Sequence, residues 1–252
     1  MAGHSKWAKV KHFKGAIDVK RGRIFAKLSR EATVAAKIGG ADPDLNPRLR
    51  MVMLKCRAAN MPADNVQRAI KKATGEDGGA DFVELTYEIF GPGGVAILLD
   101  ITTDNRNRTA AEIRHVLSRN GGTMATAGSV TRLFQRKGQI IVSRETVGED
   151  SLMELVLEAG AEDFKADENG YEIVTDPGQF EEVHARLEEK GIAMEFAEVT
   201  SISTLTVPIP ANEVKAVKRL VDTLEENDDV QDVYTNGDFP EETDSDSKDD
   251  SE

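Results

Sequence analysis

Residues 139–200 read QIIVSRETVGEDSLMELVLEAGAEDFKADENGYEIVTDPGQFEEVHARLEEKGIAMEFAEVT, and the order of periods along them sets the fold class. Residues 139–144 are a short β-branched run and predict a strand. Leu152, Leu155 and Val156 recur at helical spacing and predict a helix over 151–159. Short strands follow near 162–166 and 171–175. Phe180, Val183 and Leu187 give a helix from Phe180 to Lys190 one apolar face, Gly191 closes it, and a strand near 193–200 completes the set. The order β-α-β-β-α-β is the split ferredoxin-like pattern.

The flanks show a similar order. Strands are expected near 83–89 and 95–101 around the turn Gly91-Pro92-Gly93-Gly94, then a helix from Thr109 to Arg119 with a Thr109–Glu112 capping box, then a strand near 129–134. Beyond the insertion come a strand near 204–209, a helix near 211–226 and a strand near 230–235. Residues 77–137 plus 203–237 are therefore expected to form a discontinuous α+β domain, with 138–202 an acidic α+β domain inserted in it.

Residues 1–76 read as a basic arm and a helical domain. Residues 1–23 show no clean apolar period and read as an arm. Phe25, Leu28, Ala32 and Ala35 mark a helix over 21–38. Asn46-Pro47 reads as N-cap and first helical position of a second, with Leu49, Val52, Met53, Cys56 and Ala59 inward. Pro62 opens a third, with Val66, Ala69, Ile70 and Ala73 inward. The fold class is α+β: a three-helix bundle followed by two α+β domains. Residues 238–252, acidic and serine-rich, read as a disordered tail.

The net charge of −13 conceals a division. Residues 1–75 hold 17 Lys+Arg against 5 Asp+Glu, whereas 76–252 hold 15 against 40. Such asymmetry points to a polyanionic partner at the basic end. The arm carries Lys6, Lys9, Lys11, Lys14, Lys20, Arg21 and Arg23, with His4, Ser5, Trp7, His12 and Phe13 among them. Cations beside rings that stack on bases suit RNA or single-strand binding. Lys27, Arg48, Arg50, Lys55, Arg57, Arg68, Lys71 and Lys72 extend the candidate surface over the bundle, the last seven on its outer faces.

Little else points to chemistry. Asn105, Arg106, Asn107 and Arg108 open a helix, where orphan N–H groups and two arginines suit a phosphate; capping with solvated arginines is the equal alternative. Cys56 sits on an apolar stripe and reads as a core thiol. His4, His12, His115 and His184 lack metal-ligand spacing, and Asp228-Asp229 reads as solvated charge. Gly91-Pro92-Gly93-Gly94 lacks the lysine of a phosphate loop. No metal, cofactor, small-molecule substrate or membrane contact is expected. One cysteine and a start without a signal-peptide core point to the cytoplasm.

Ala2-Gly3-His4-Ser5-Lys6-Trp7, Gly39-Gly40-Ala41-Asp42-Pro43, Asn46-Pro47-Arg48-Leu49-Arg50 and Asn60-Met61-Pro62-Ala63-Asp64-Asn65 resemble the YebC/PmpR family. So do Gly91-Pro92-Gly93-Gly94, the run Thr103 to Thr109, Glu158-Ala159-Gly160-Ala161-Glu162-Asp163 and Asp228-Asp229-Val230-Gln231. The chain departs from that pattern at Ile89-Phe90, Thr123 to Ala127, Ser203 and Gly237. The resemblance implies a three-domain α+β protein of the cytoplasm with no enzymatic activity. Some members are described as DNA-binding transcriptional regulators and others as translational activators on the ribosome. The bundle offers few base-reading side chains beyond Asn60, Asn65 and Gln67, so ribosomal RNA is the preferred partner and DNA the alternative.

Overall fold

The computed structural model describes residues 3–75 and 81–240, with residues 3–20 and Thr74 described by backbone alone. The first helix, α1 (Gly3–Gly39), spans the expected arm as well as the expected helix. Residues 4–20 hold no proline and Gly15 as their one glycine, so a helix once nucleated propagates through them. A missing apolar stripe argues against burial, not against helix.

The bundle is completed by α2 (Pro47–Ala58) and α3 (Ala63–Thr74). Asn46 fastens it. Its Oδ1 accepts from the Leu49 N–H at 3.1 Å, and its Nδ2 donates to the carbonyls of Ala35 (2.9 Å) and Gly40 (2.8 Å). One buried side chain thus caps α2 and ties it to the end of α1. Leu28, Ala32, Ala35, Leu49, Val52, Cys56, Val66 and Ile70 form the core between the three helices.

The first sheet has the order β3-β1-β2-β9, with β1 (Val83–Phe90), β2 (Ala96–Thr103), β3 (Thr123–Met124) and β9 (Val230–Thr235), antiparallel throughout. Its hairpin turns at Gly93 and Gly94, both at positive φ, which suits glycine. Helices α4 (Arg106–Arg119) and α7 (Val214–Glu225) bury Ile113, Leu117, Val217, Leu220 and Leu224 against Ile97, Leu99 and Ile101.

The second sheet has the order β5-β6-β4-β7, with β4 (Phe134–Ser143), β5 (Ala161–Ala166), β6 (Gly170–Thr175) and β7 (Phe196–Ser203). This is the ferredoxin-like arrangement, and all its strands fall in sequence between those of the first sheet. Helices α5 (Glu149–Glu158) and α6 (Phe180–Glu189) cover it through Leu152, Val156, Phe180, Val183 and Leu187.

Four boundaries differ from expectation. Residues 129–133 form a turn and a 3-10 turn, not a strand, because Val130 is wanted in a second small core with Ala96, Leu98 and Tyr234 on the far face of the first sheet. The strand near 204–209 shrinks to β8 (Val207–Pro208), paired in parallel with β10 (Gly237–Asp238). Asp238 therefore belongs to the fold and Phe239 packs on the first core; residues 241–252 of the expected tail lie outside the described residues. Helix α4 begins at Arg106 under an Asn105 cap, which places Thr109 inside the first turn and removes its capping-box role.

Candidate nucleic-acid interface

The bundle's cations fall into three groups. His4, Ser5, Lys6, Trp7, Lys9, Lys11, His12, Lys14 and Lys20 stand on the α1 backbone, and their side chains lie outside the described residues.

The second group faces the protein's own acids. Arg23 lies 3.7 Å from Glu226 and 3.9 Å from Asp228, and Lys27 Nζ donates to the Glu225 carbonyl at 2.8 Å. Arg30 donates to the Asp228 carbonyl and lies 3.7 Å from the Asp229 carboxylate. Arg48 forms a two-pronged pair with Glu84 of β1. Arg50 forks onto both oxygens of Glu181 on α6, at 2.9 and 3.0 Å. Lys55, its side chain only 13% exposed, lies 3.2 Å from Glu31 and 3.8 Å from Glu198 of β7. Burial alone would lower the Lys55 pKa, but Glu31, Glu198 and Asp232 hold it well above the ordinary lysine value, so the ammonium stays charged. The outward placement expected for Lys55 is thereby corrected; Arg48 stays exposed and Arg50 half-buried, each paired with an acid. The three pair in turn with Glu84 of β1, Glu181 of α6, and Glu31 of α1 with Glu198 of β7, and no helical period reports that. The bundle is latched at the 225–229 loop, at β1, at α6 and at β7.

The third group remains on the surface. Arg57, Arg68, Lys71 and Lys72 are exposed, and Lys71 and Lys72 form no ion pair with any described residue. Arg21 is also exposed, at the start of the described side chains.

The loop before α4 is settled by an internal anion. Asn105 Oδ1 accepts from the Arg108 N–H at 3.1 Å, a helix cap, while Arg106 and Asn107 are exposed. The Arg108 guanidinium lies 2.8 Å from the Asp229 carboxylate and 3.0 Å from Asp104. Asp229 also accepts from Thr103 Oγ1 at 3.1 Å and Thr109 Oγ1 at 2.7 Å. Burial raises the Asp229 pKa, yet the bonds from Arg108, Thr109 and Thr103 outweigh it and hold the carboxyl below the usual range. Asp229 is 5% exposed, not the solvated charge expected of Asp228-Asp229. Its carboxylate stands where the positive helix start and Arg108 suit an anion. Sequence reasoning missed these partners, since no local signal links Arg108 to an acid so far along the chain. Cys56 is a buried core thiol, its pKa pushed up to about 11 by burial.

Comparison with known proteins is consistent from end to end. Residues 5–76 match the family described as "TACO1/YebC protein N-terminal domain", and residues 82–237 match "TACO1/YebC second and third domain". A protein of Natranaerobius thermophilus named "Probable transcriptional regulatory protein" is 51% identical over 242 residues, 95% of this chain and 97% of that one. One of the same name from Ligilactobacillus salivarius is 52% identical over 243 residues, 96% of this chain and all of that one. The crystal structure of a conserved hypothetical protein from Aquifex aeolicus superposes with a TM-score of 0.80 at 44% identity, over 90% of this chain and 93% of that chain. With both halves matched and the fold shared, the chain belongs to the TACO1/YebC family.

Proposed function

We propose that this protein is a non-enzymatic, nucleic-acid-binding regulator of gene expression, which acts in the cytoplasm on the ribosome by contacting RNA through α1 and the basic bundle. The observation that carries the reading is the segregation of charge: a basic helical unit set against two acidic sheets. Glu84 of β1, Glu181 of α6 and Glu198 of β7 pair with Arg48, Arg50 and Lys55. Arg57, Arg68, Lys71 and Lys72 of the bundle face outward. The acidic remainder would repel a long duplex lying across the molecule, so contact through one end suits a folded RNA surface. We take 1–76, 77–137 with 203–237, and 138–202 as the three units of this factor.

A second reading has its own observation. Helices α2 and α3 are joined by four residues, a turn short enough for a helix-turn-helix, and α3 exposes Gln67 and Arg68, side chains of the kind that read bases. That reading is transcriptional regulation through DNA; the relatives' names give the regulation.

Co-sedimentation with ribosomes from lysate across a salt series separates the two. The parent should stay bound near physiological salt, and K6E/K9E/K11E/K14E should be released. Protein free of ribosomes at every salt, with discrete DNA sites recovered from the same cells, would overturn the ribosomal reading.

A further inference from the structure

A groove of about 460 Å³ runs between α1 and α3, within the size range of small-ligand sites. Arg30, Arg68 and Lys72 supply its charge, and Ser29, Thr33 and Asn65 supply polar atoms; no carboxylate lines it. Phe82, the residue just before β1, forms one wall. Phe82, half-buried, belongs to none of the four apolar cores of the described residues. A second cleft of about 650 Å³ adjoins, sharing Arg30, Lys72 and Phe82. There the lining turns acidic, adding the carboxylates Asp104, Glu112, Glu226, Asp228 and Asp229 beside Arg23, Arg108 and Asn227.

We infer that these joined clefts take one unpaired nucleotide of a nucleic-acid strand, its phosphate on Arg68 and Lys72 and its base on Phe82. The inference rests on the nucleic-acid reading above and gives it a position. Lysine and arginine neutralise phosphate, and a ring gives any base a stacking face. The carboxylates of the second cleft can accept from the polar edge of a splayed base. A paired base offers neither its face nor that edge, so the site selects a single strand. Arg30, fixed by the Asp228 carbonyl and the Asp229 carboxylate, bridges the two halves and holds its guanidinium in place before any ligand arrives.

Equilibrium binding of the full chain to a ten-nucleotide oligouridine, an oligothymidine of the same length and a ten-base-pair RNA duplex tests this. F82A and F82L should each weaken oligouridine binding about tenfold and leave duplex binding unchanged. R68A/K72A should weaken oligouridine binding and lower the salt slope by about 0.7, one single-strand phosphate contact. A thermal melt of each variant separates lost binding from lost folding, and F82L keeps the apolar wall without the ring. Comparison of the two oligonucleotides tells RNA from DNA as the source of the strand. Full oligonucleotide affinity in F82L and R68A/K72A, with loss only in K6E/K9E/K11E/K14E, would overturn the groove and leave the nucleic-acid reading standing. No binding of any nucleic acid by the parent would overturn both.

Discussion

Two buried polar side chains each tie several segments of the chain together. Asn46 satisfies the start of α2 and the end of α1 with three hydrogen bonds. Asn46→Ala should cost about 2 kcal/mol in urea denaturation, the loss of a cap plus stranded carbonyls. Asp229 gathers Arg108, Thr103 and Thr109. Asp229→Asn should cost about 2 kcal/mol at pH 7 by weakening charge-assisted bonds. Because its folded pKa lies below the unfolded value of about 3.9, the stability it contributes is complete above that pH and is lost as pH falls through the folded value. The parent and D229N should therefore converge in stability toward pH 3, and a constant gap from pH 7 to pH 3 would rule out this role. Asn46 was legible as a cap from Asn46-Pro47, since capping is local. Asp229 was not, since its partners lie more than a hundred residues away.

Among the elements, helix α2 joins the others. Lys55 projects from it into a setting with Glu31 and Glu198. Lys55→Ala should cost about 3–5 kcal/mol in thermal or urea unfolding, since two mostly buried carboxylates lose their counter-charge. An effect below about 1 kcal/mol would mean that water replaces the ammonium. On β4, Gly138 faces α6: a Cβ there would meet Thr175 Oγ1 at 2.2 Å and the Phe180 side chain at 2.7 Å. Gly138→Ala should cost about 1–3 kcal/mol by overpacking, read as a lowered urea midpoint. Element type was legible wherever an apolar period ran, as in α2, α6, β2 and β4. It failed where the governing force was not periodic. The helix over residues 3–20 follows from propensity and continuity with α1, and the turn at 129–133 follows from the place Val130 takes beside Leu98 and Tyr234.

At the scale of the whole molecule, charge organises both assembly and partner. The same bundle that carries the excess cations is held to the sheets by ion pairs at Glu84, Glu181, Glu198 and the 225–229 loop. Arg50→Glu should loosen the contact with α6 only slightly, because that pair is partly exposed, and the reversed pair R50E/E181R should restore it in a double-mutant cycle. Nucleic-acid binding should weaken steeply with salt, by about 0.7–0.9 in log–log slope per phosphate contact, and K6E/K9E/K11E/K14E should flatten that slope. An unchanged slope would remove this end of α1 from the interface.

The α+β class, the ferredoxin-like order of 139–200, the three bundle helices, the core position of Cys56 and the division of charge all follow from the sequence by itself, because period, capping and composition are written within a few turns of chain. The tertiary structure alone decided which cations meet carboxylates. Arg48, Arg50 and Lys55 share a helix and a residue class with Arg57, yet the three pair with carboxylates on β1, α6 and β7 while Arg57 stays outward. It also placed Asp229 under Arg108 and set Phe82 between α1 and α3. Ion pairing depends on distance in space, and that distance is fixed only once the two sheets have packed against the bundle.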